Sequence, residues 1–347
     1  MRAALPALLL LALPLAGQGA RTYTLPGESV AVYNIAGVIR VEGSRGGAVT
    51  VAVTPTGADA GRLSVETGEL RGRNTLRVIY PGDRIVYPEL GRGSNSNFTI
   101  RDDGTWGDDS HRWGRGEGRK VTIRGSGDGL EASADLTVNV PEGRRVAIYL
   151  GVGRIEATNV NGTVHLDAMS GDVSARGTRG SLSIDTGSGD VVVTGASGSL
   201  SLDTGSGDVD VSDMKEGDLK VDTGSGEVRV RGVTARSLDI DTGSGDIRVE
   251  AAQVPDAALE AGSGSIWISL EGAVDRLHAE TGSGDVTVRL PESISATVDL
   301  ETGSGDLDIG IPLQLVRKSE GEIRGTLGEG RGRIEIETGS GDISLTR

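Results

Sequence analysis

The chain has 347 residues, no cysteine and a formal net charge of −15. Without thiols it has no disulfides, no zinc–thiolate sites and no cysteine nucleophile, so burial and backbone pairing must hold it together. Its charge is uneven: residues 150–347 carry 17 Lys/Arg against 34 Asp/Glu, whereas residues 1–149 carry 18 against 16. The acidic half repels nucleic acid and anionic lipid, which are bound by cations that neutralise phosphate, and it suits metal cations or basic partners instead. The 56 glycines are about twice the usual share, yet there is no G-X-Y period and only 10 prolines, which excludes collagen.

Residues 1–20 read as a secretory signal peptide: Met1-Arg2, an Ala/Leu run to Leu15 and a small-residue end at Ala16-Gly-Gln-Gly-Ala20. No cysteine is present to carry a lipid, and no later apolar run is long enough to span a bilayer. The expectation is an exported protein of the periplasm, cell surface or medium, held at the envelope, if at all, by a partner.

Residues 21–145 form a β-rich part with diverged repeats. Val30-Ala-Val32, Val38-Ile-Arg-Val41 and Val49-Thr-Val51-Ala-Val53 alternate with period two, the strand signal. Val30–Val41 lies over Leu182–Val193 without a gap, so that apolar positions 30, 32, 39 and 41 fall on 182, 184, 191 and 193. Leu63-Ser-Val-Glu-Thr-Gly68 is a further echo. Residues 91–120 break the pattern with Gly, both charges and few aliphatics, and are expected to be a mobile insertion. Trp106, Trp113 and His111 lie there, which gives the segment a second reading as a partner-binding or metal-binding loop, although its Asp spacing matches no EF-hand.

From 146 to 347 one phrase recurs. Asp185-Thr-Gly-Ser-Gly-Asp190 returns at 203–208, 222–227, 241–246, 260–265, 280–285, 301–306 and 337–342, the copies ending 18, 19, 19, 19, 20, 21 and 36 residues apart. Ser319-Glu-Gly-Glu322 reads as a degenerate copy inside the long gap. Apolar residues alternate into and out of each phrase, as in Leu200, Leu202, Val209 and Val211, which places the phrase's acidic ends on the solvent face. A hairpin per repeat, pairing residue 184 with 191, fits this pattern. A parallel solenoid fits better, because it stacks residue 190 on 208 at about 4.8 Å and so stacks like on like at every coil. Pro255, Pro291 and Pro312 fall between units, as they must if the strands are paired on both sides. Gly at both turn positions supplies backbone geometry that a side chain would forbid. Each coil buries about four aliphatic side chains at roughly 1.5 to 3 kcal/mol apiece, so the coils are stable only as a stack.

Tyr33-Asn-Ile-Ala-Gly-Val-Ile-Arg-Val-Glu-Gly43, Leu136-Thr-Val-Asn-Val-Pro-Glu-Gly143 and the serial Thr-Gly-Ser-Gly-Asp-Val units resemble the bacterial putative-adhesin family of β-strand-repeat proteins, over nearly the whole mature chain. The resemblance implies an all-β, right-handed parallel β-helix with coils of about 18–21 residues. It supplies no catalytic residues, since that family has no agreed set.

Two acidic columns are the strongest constellation. One runs Asp167, Asp185, Asp203, Asp222, Asp241, Glu260, Glu280, Glu301 and Glu337. The other runs Asp172, Asp190, Asp208, Glu227, Asp246, Asp285, Asp306, Glu322 and Asp342. Carboxylates about 4.8 Å apart repel by roughly 0.9 kcal/mol even at the dielectric of water, so something must offset them. Bonds from turn amides and from Thr and Ser hydroxyls are one answer. Ca²⁺ bridging is the other, with Asp185, Asp190, Asp203, Asp208, Asp222, Glu227, Asp241 and Asp246 as ligands. The run G-S-G-D, once per coil, departs from the calcium nonapeptide G-G-x-G-x-D.

A polysaccharide-active β-helix enzyme is the competing class, because paired carboxylates serve acid–base chemistry. An active site needs a local exception, however, and these carboxylates are regular. The serines have no histidine placed beside them, and no Walker or GxGxxG phrase is present. Trp267 breaks the regularity: by register it points outward beside Arg248 and Thr287, as a cation–π contact or as a partner hot spot. The strand Ile343-Ser-Leu345 reads as an open edge, which predicts weak end-to-end self-association or capping by residues 312–333. The sequence therefore reads as an exported, non-enzymatic acidic solenoid, an envelope or surface scaffold of adhesive type, with a calcium-stabilised binding module as the runner-up.

Overall fold

The structure is a computed structural model describing residues 12–14, 19–107 and 118–347. Most of the leader expected over 1–20 lies outside these residues, as do Trp113 and His111, while Ala12–Pro14 pairs antiparallel with residues 64–66. No helix among the described residues is long and apolar enough to cross a membrane. The chain is all-β and divides into two units, residues 1–173 and 174–347.

In the first unit, Ser29–Ser44 is the central strand. It pairs in parallel with Arg144–Thr158, Val30 opposite Val146 and Ile39 opposite Ile155, and on its other side with Arg73–Ile79 and with Ser133–Pro141. Val49–Thr56 then joins Ser133–Pro141 to Arg21–Leu25 by antiparallel pairing. Gly37 bends Ser29–Ser44 at φ +132°, matching φ +133° at Gly189, so the overlay of 30–41 on 182–193 reflects a shared backbone bend. The Leu63 echo is different: Ser64–Leu70 makes an antiparallel hairpin with Arg73–Ile79, not a coil.

The expectation of a mobile insertion at 91–120 fails at its ends. Asn95–Ile100 pairs antiparallel with Arg119–Arg124, which pairs in parallel with Arg84–Val86. Phe98, Ile100, Val121 and Ile123 bury the inner face of this small sheet. Trp106 anchors the described part around it: its ring packs edge-on against Tyr33 at 5.4 Å and Phe98 at 5.3 Å.

The second unit is a parallel solenoid. Leu182 stacks on Leu200, Leu219 and Leu238, while Val191 stacks on Val209, Val228 and Ile247, each in strict register. The hairpin alternative is thereby excluded. A third side is closed by single parallel bridges linking Arg179, Ser197, Lys215, Thr234 and Gln253. Buried Ala196, Met214, Val233 and Ala252 pack inside it. The Thr of each phrase also points inward; Thr186 donates to the Ser188 carbonyl at 3.3 Å and Thr223 to that of Ser225 at 3.2 Å.

Only the second glycine of the phrase needs a positive φ, from +133° at Gly189 to +156° at Gly305. At both glycine positions a Cβ would overlap the carbonyl oxygen of the equivalent glycine one coil away. The bend is thus the point where successive backbones come closest.

Coil order in space departs from coil order in sequence. Strand Arg276–Thr281 pairs with Gly332–Thr338, and only then comes Ala296–Thr302. Likewise Val286–Arg289 pairs with Ile343–Thr346, which pairs with Leu307–Ile309. Ile343-Ser-Leu345 is therefore no open edge; it is paired on both sides. Ser319-Glu-Gly-Glu322 is no degenerate coil either, because it is the turn of an antiparallel hairpin formed by Gln314–Ser319 and Glu322–Leu327. That hairpin lies antiparallel on Ala296–Thr302 and covers the spatially last coil, in keeping with capping by residues 312–333.

Gly207→Ala is expected to lower the urea midpoint by the equivalent of about 3 kcal/mol or more, since it adds both a positive-φ strain and a backbone overlap. Gly195→Ala, with φ +68° and open space around the new methyl, is expected to cost about 1 kcal/mol. Equal losses in parallel urea titrations would show that close coil approach is not the constraint.

Candidate functional site

The two acidic columns are real, and they differ in chemistry. In the column that ends each phrase, a side-chain oxygen accepts the backbone N–H of the next coil. Asp190 Oδ1 accepts from Asp208 at 3.0 Å, Asp208 from Glu227 at 2.9 Å and Asp246 from Ser265 at 2.8 Å. The ladder then follows the spatial order of the coils: Ser265 Oγ accepts from Asp285, Asp285 from Asp342, and Asp342 from Asp306. Glu322 does not belong to it; it faces Glu301 across the antiparallel hairpin. Glu227, one methylene longer than Asp, turns instead to Arg229.

In the other column Asp185, Asp203, Asp222, Asp241, Glu260, Glu280, Glu337 and Glu301 stand in register, in that order. These side chains point to solvent. Partial burial, reinforced by the charges of Asp185 and Asp222 on either side, holds the Asp203 carboxyl above its usual range, with Lys220 opposing. Among the described residues no group of three or more Asp, Glu or His side chains is placed to hold a metal ion. The geometry gives the reason: the ladder carboxylates point along the stack at amides, whereas Ca²⁺ requires six to eight oxygens converging on one centre.

Trp267 lies in register between Arg248 and Thr287. The Arg248 guanidinium sits 4.4 Å over its ring, the cation–π contact expected at this position. Trp106, expected to meet a partner, is 2% exposed and belongs to the core of the first unit. Its burial follows from Tyr33, which stacks on Tyr149 at 4.4 Å and offers Trp106 an edge.

Sequence reasoning missed a cleft of about 510 Å³ in the first unit, lined by Tyr87, Glu89, Ser133, Asp135, Arg154 and Asp172 among others. Arg154 follows Gly153 where later coils carry Gly-Asp, a departure that could have flagged the place. Its polar groups have structural partners: Asp135 Oδ1 accepts the Val38 N–H at 3.0 Å, and Arg154 Nε pairs with Glu156 at 2.8 Å. Burial, with help from the charges of Glu89 and Asp135, pushes the Tyr87 hydroxyl up to about 12, so it is no base at neutral pH.

Because the Asp203 carboxyl is raised in the folded state, that state holds its proton more tightly than the unfolded chain, and stability is lost as pH rises from the ordinary carboxylate range through the raised value. Asp203→Asn should therefore raise the melting temperature at pH 7 in low salt, and the gain should shrink at high salt and near pH 3. Asp208→Ala, which removes the acceptor of the Glu227 amide, should lower stability by about 1 kcal/mol. Thermal melts across pH that move both variants in the same direction would contradict the division of labour between the columns. Replacing EDTA by millimolar Ca²⁺ at constant ionic strength should leave the melting temperature within about 1 °C; a rise of several degrees would assign Asp185, Asp190 and their neighbours as ligands.

Comparison with known proteins gives two findings. The family model described as Toastrack DUF4097 matches residues 177–346. A solved structure, described as a putative cell adhesion protein from Clostridium sporogenes, is similar at 12% identity over 94% of this chain and 99% of that one, with a TM-score of 0.18. No curated protein matches.

Proposed function

We propose, from the match of residues 177–346 to the Toastrack DUF4097 model, that the protein is an exported, non-enzymatic, right-handed β-solenoid scaffold of the envelope or cell surface that presents its repeated acidic face to a basic partner. Right-handed crossovers are the rule wherever parallel strands are joined in one sheet. The observation that carries the reading is the regularity of the polar groups. The ladder carboxylates are engaged by amides one coil on, and the outer carboxylates from Asp203 to Glu260 repeat in strict register at every coil. Catalysis requires a local exception; multivalent contact with a surface does not. Export is supported by the basic–apolar–small pattern of residues 1–20. The adhesive character is supported by the density of like charge on one face of an otherwise structural repeat.

The test is capture of purified residues 21–347 on isolated envelope material. Binding is expected to fall steeply between 50 and 300 mM salt, on the scale set by the Debye length. It is also expected to weaken at least several-fold in a variant combining Asp203→Asn, Asp222→Asn and Asp241→Asn. Capture that is insensitive to both changes would remove the acidic face from the function.

A further inference from the structure

The 332–346 coil occupies a slot between two coils that precede it in sequence. On one side Gly284 and Val286 donate to the carbonyls of Ser340 and Asp342 at 3.0 and 2.9 Å; on the other, Gly341 and Ile343 donate to those of Ser304 and Asp306 at 3.0 and 2.9 Å. The side chains that meet are identical or alike at each level: Glu280, Glu337 and Glu301; Thr281, Thr338 and Thr302; the aliphatic Val286, Ile343 and Leu307. Residues 290–295, which join the flanking coils, therefore step over one rung and rise about 9.6 Å, where earlier connections rise about 4.8 Å.

Both walls of the slot lie earlier in the chain than the coil that fills it. Until it arrives, each wall is an apolar edge with unpaired backbone groups, and either edge accepts a strand carrying the repeat phrase. The filling coil is tethered by Gly328-Glu-Gly-Arg-Gly332, in which Gly328 and Gly330 take φ +56° and +70°. Short connections of this kind favour exchange of the element they tether; here the bonds to be exchanged are those that Ser295 Oγ accepts from the Glu329 and Arg331 N–H groups at 3.0 and 3.3 Å.

We propose that the 332–346 coil is exchangeable between molecules, entering the slot of a second copy of this chain and giving a domain-swapped dimer. The slot recognises register and repeat chemistry, and both are identical in the two copies, so the closed monomer and the swapped dimer share every contact except those of that connection. This association differs from end-to-end stacking, because the Ala296–Thr302 strand of the spatially last coil is already covered by the Gln314–Leu327 hairpin.

The absence of cysteine allows a direct test in the full chain. Thr287 and Ser344 are register partners across the slot wall, within the Cα separation a disulfide bridges. Thr287→Cys and Ser344→Cys are made as separate single variants, mixed, unfolded and refolded together under oxidising conditions. Neither variant can close the pair within one copy. Cross-linked heterodimer at several times the yield of a control mixture of Thr287→Cys and Val192→Cys, rising with protein concentration, is the expected result. Yield no higher than the control at any concentration would overturn the proposal, provided the double variant Thr287→Cys/Ser344→Cys forms its disulfide within one chain and so reports a folded slot. Unmodified protein gives an independent reading: refolding at high concentration should leave a dimer that persists on dilution, and a purely monomeric size-exclusion profile would contradict it.

Discussion

Close approach of successive backbones at the Thr-Gly-Ser-Gly bend is the constraint on which the second unit depends. There a Cβ on either glycine would overlap the carbonyl of its counterpart one coil away, and the second glycine also needs a positive φ. Once two glycines allow that approach, the flanking strands fall into register, leucines on leucines and valines on valines. Everything outward of the bend then repeats at the same height. Solenoid stability is a sum of such nearest-neighbour terms, so one coil with a bulky residue at this point would weaken both of its interfaces.

Register also creates the main electrostatic problem and half of its solution. Like carboxylates are forced into rows, and the row that ends each phrase is relieved because its oxygens reach the amides of the adjoining coil. In the outer row, partial burial and then the charges of Asp185 and Asp222 hold the Asp203 carboxyl above its usual range. Like charge is thereby retained along one face, from Asp185 to Glu301.

The first unit shows what happens where the repeat loses its regularity. Gly37 and Gly153 keep the bend, but Val38 and Arg154 replace the acidic residue that follows it, and Asp135, from outside the repeat, supplies the acceptor for the Val38 amide. The cleft opens there. Tyr33, Tyr149 and Trp106 fill the interior with rings where later coils use aliphatics, and Trp106 anchors the described part of a segment poor in aliphatic residues.

The sequence by itself determined the all-β class, the solenoid, the inward and outward faces, both acidic columns in the second unit and the Arg248–Trp267 contact, because each is a local pattern repeated at a fixed spacing. Nothing local marks which coil lies beside which. The phrase at 337–342 is as compatible with the coil at 280–285 as with that at 301–306, and only the tertiary structure decided that it sits between them. The same holds for Glu322, whose phrase-like neighbours belong to an antiparallel hairpin, and for Trp106, whose burial depends on rings 73 and 8 residues away in the chain. Repetition makes the rung legible and the order of rungs degenerate, and long-range pairing resolves that degeneracy.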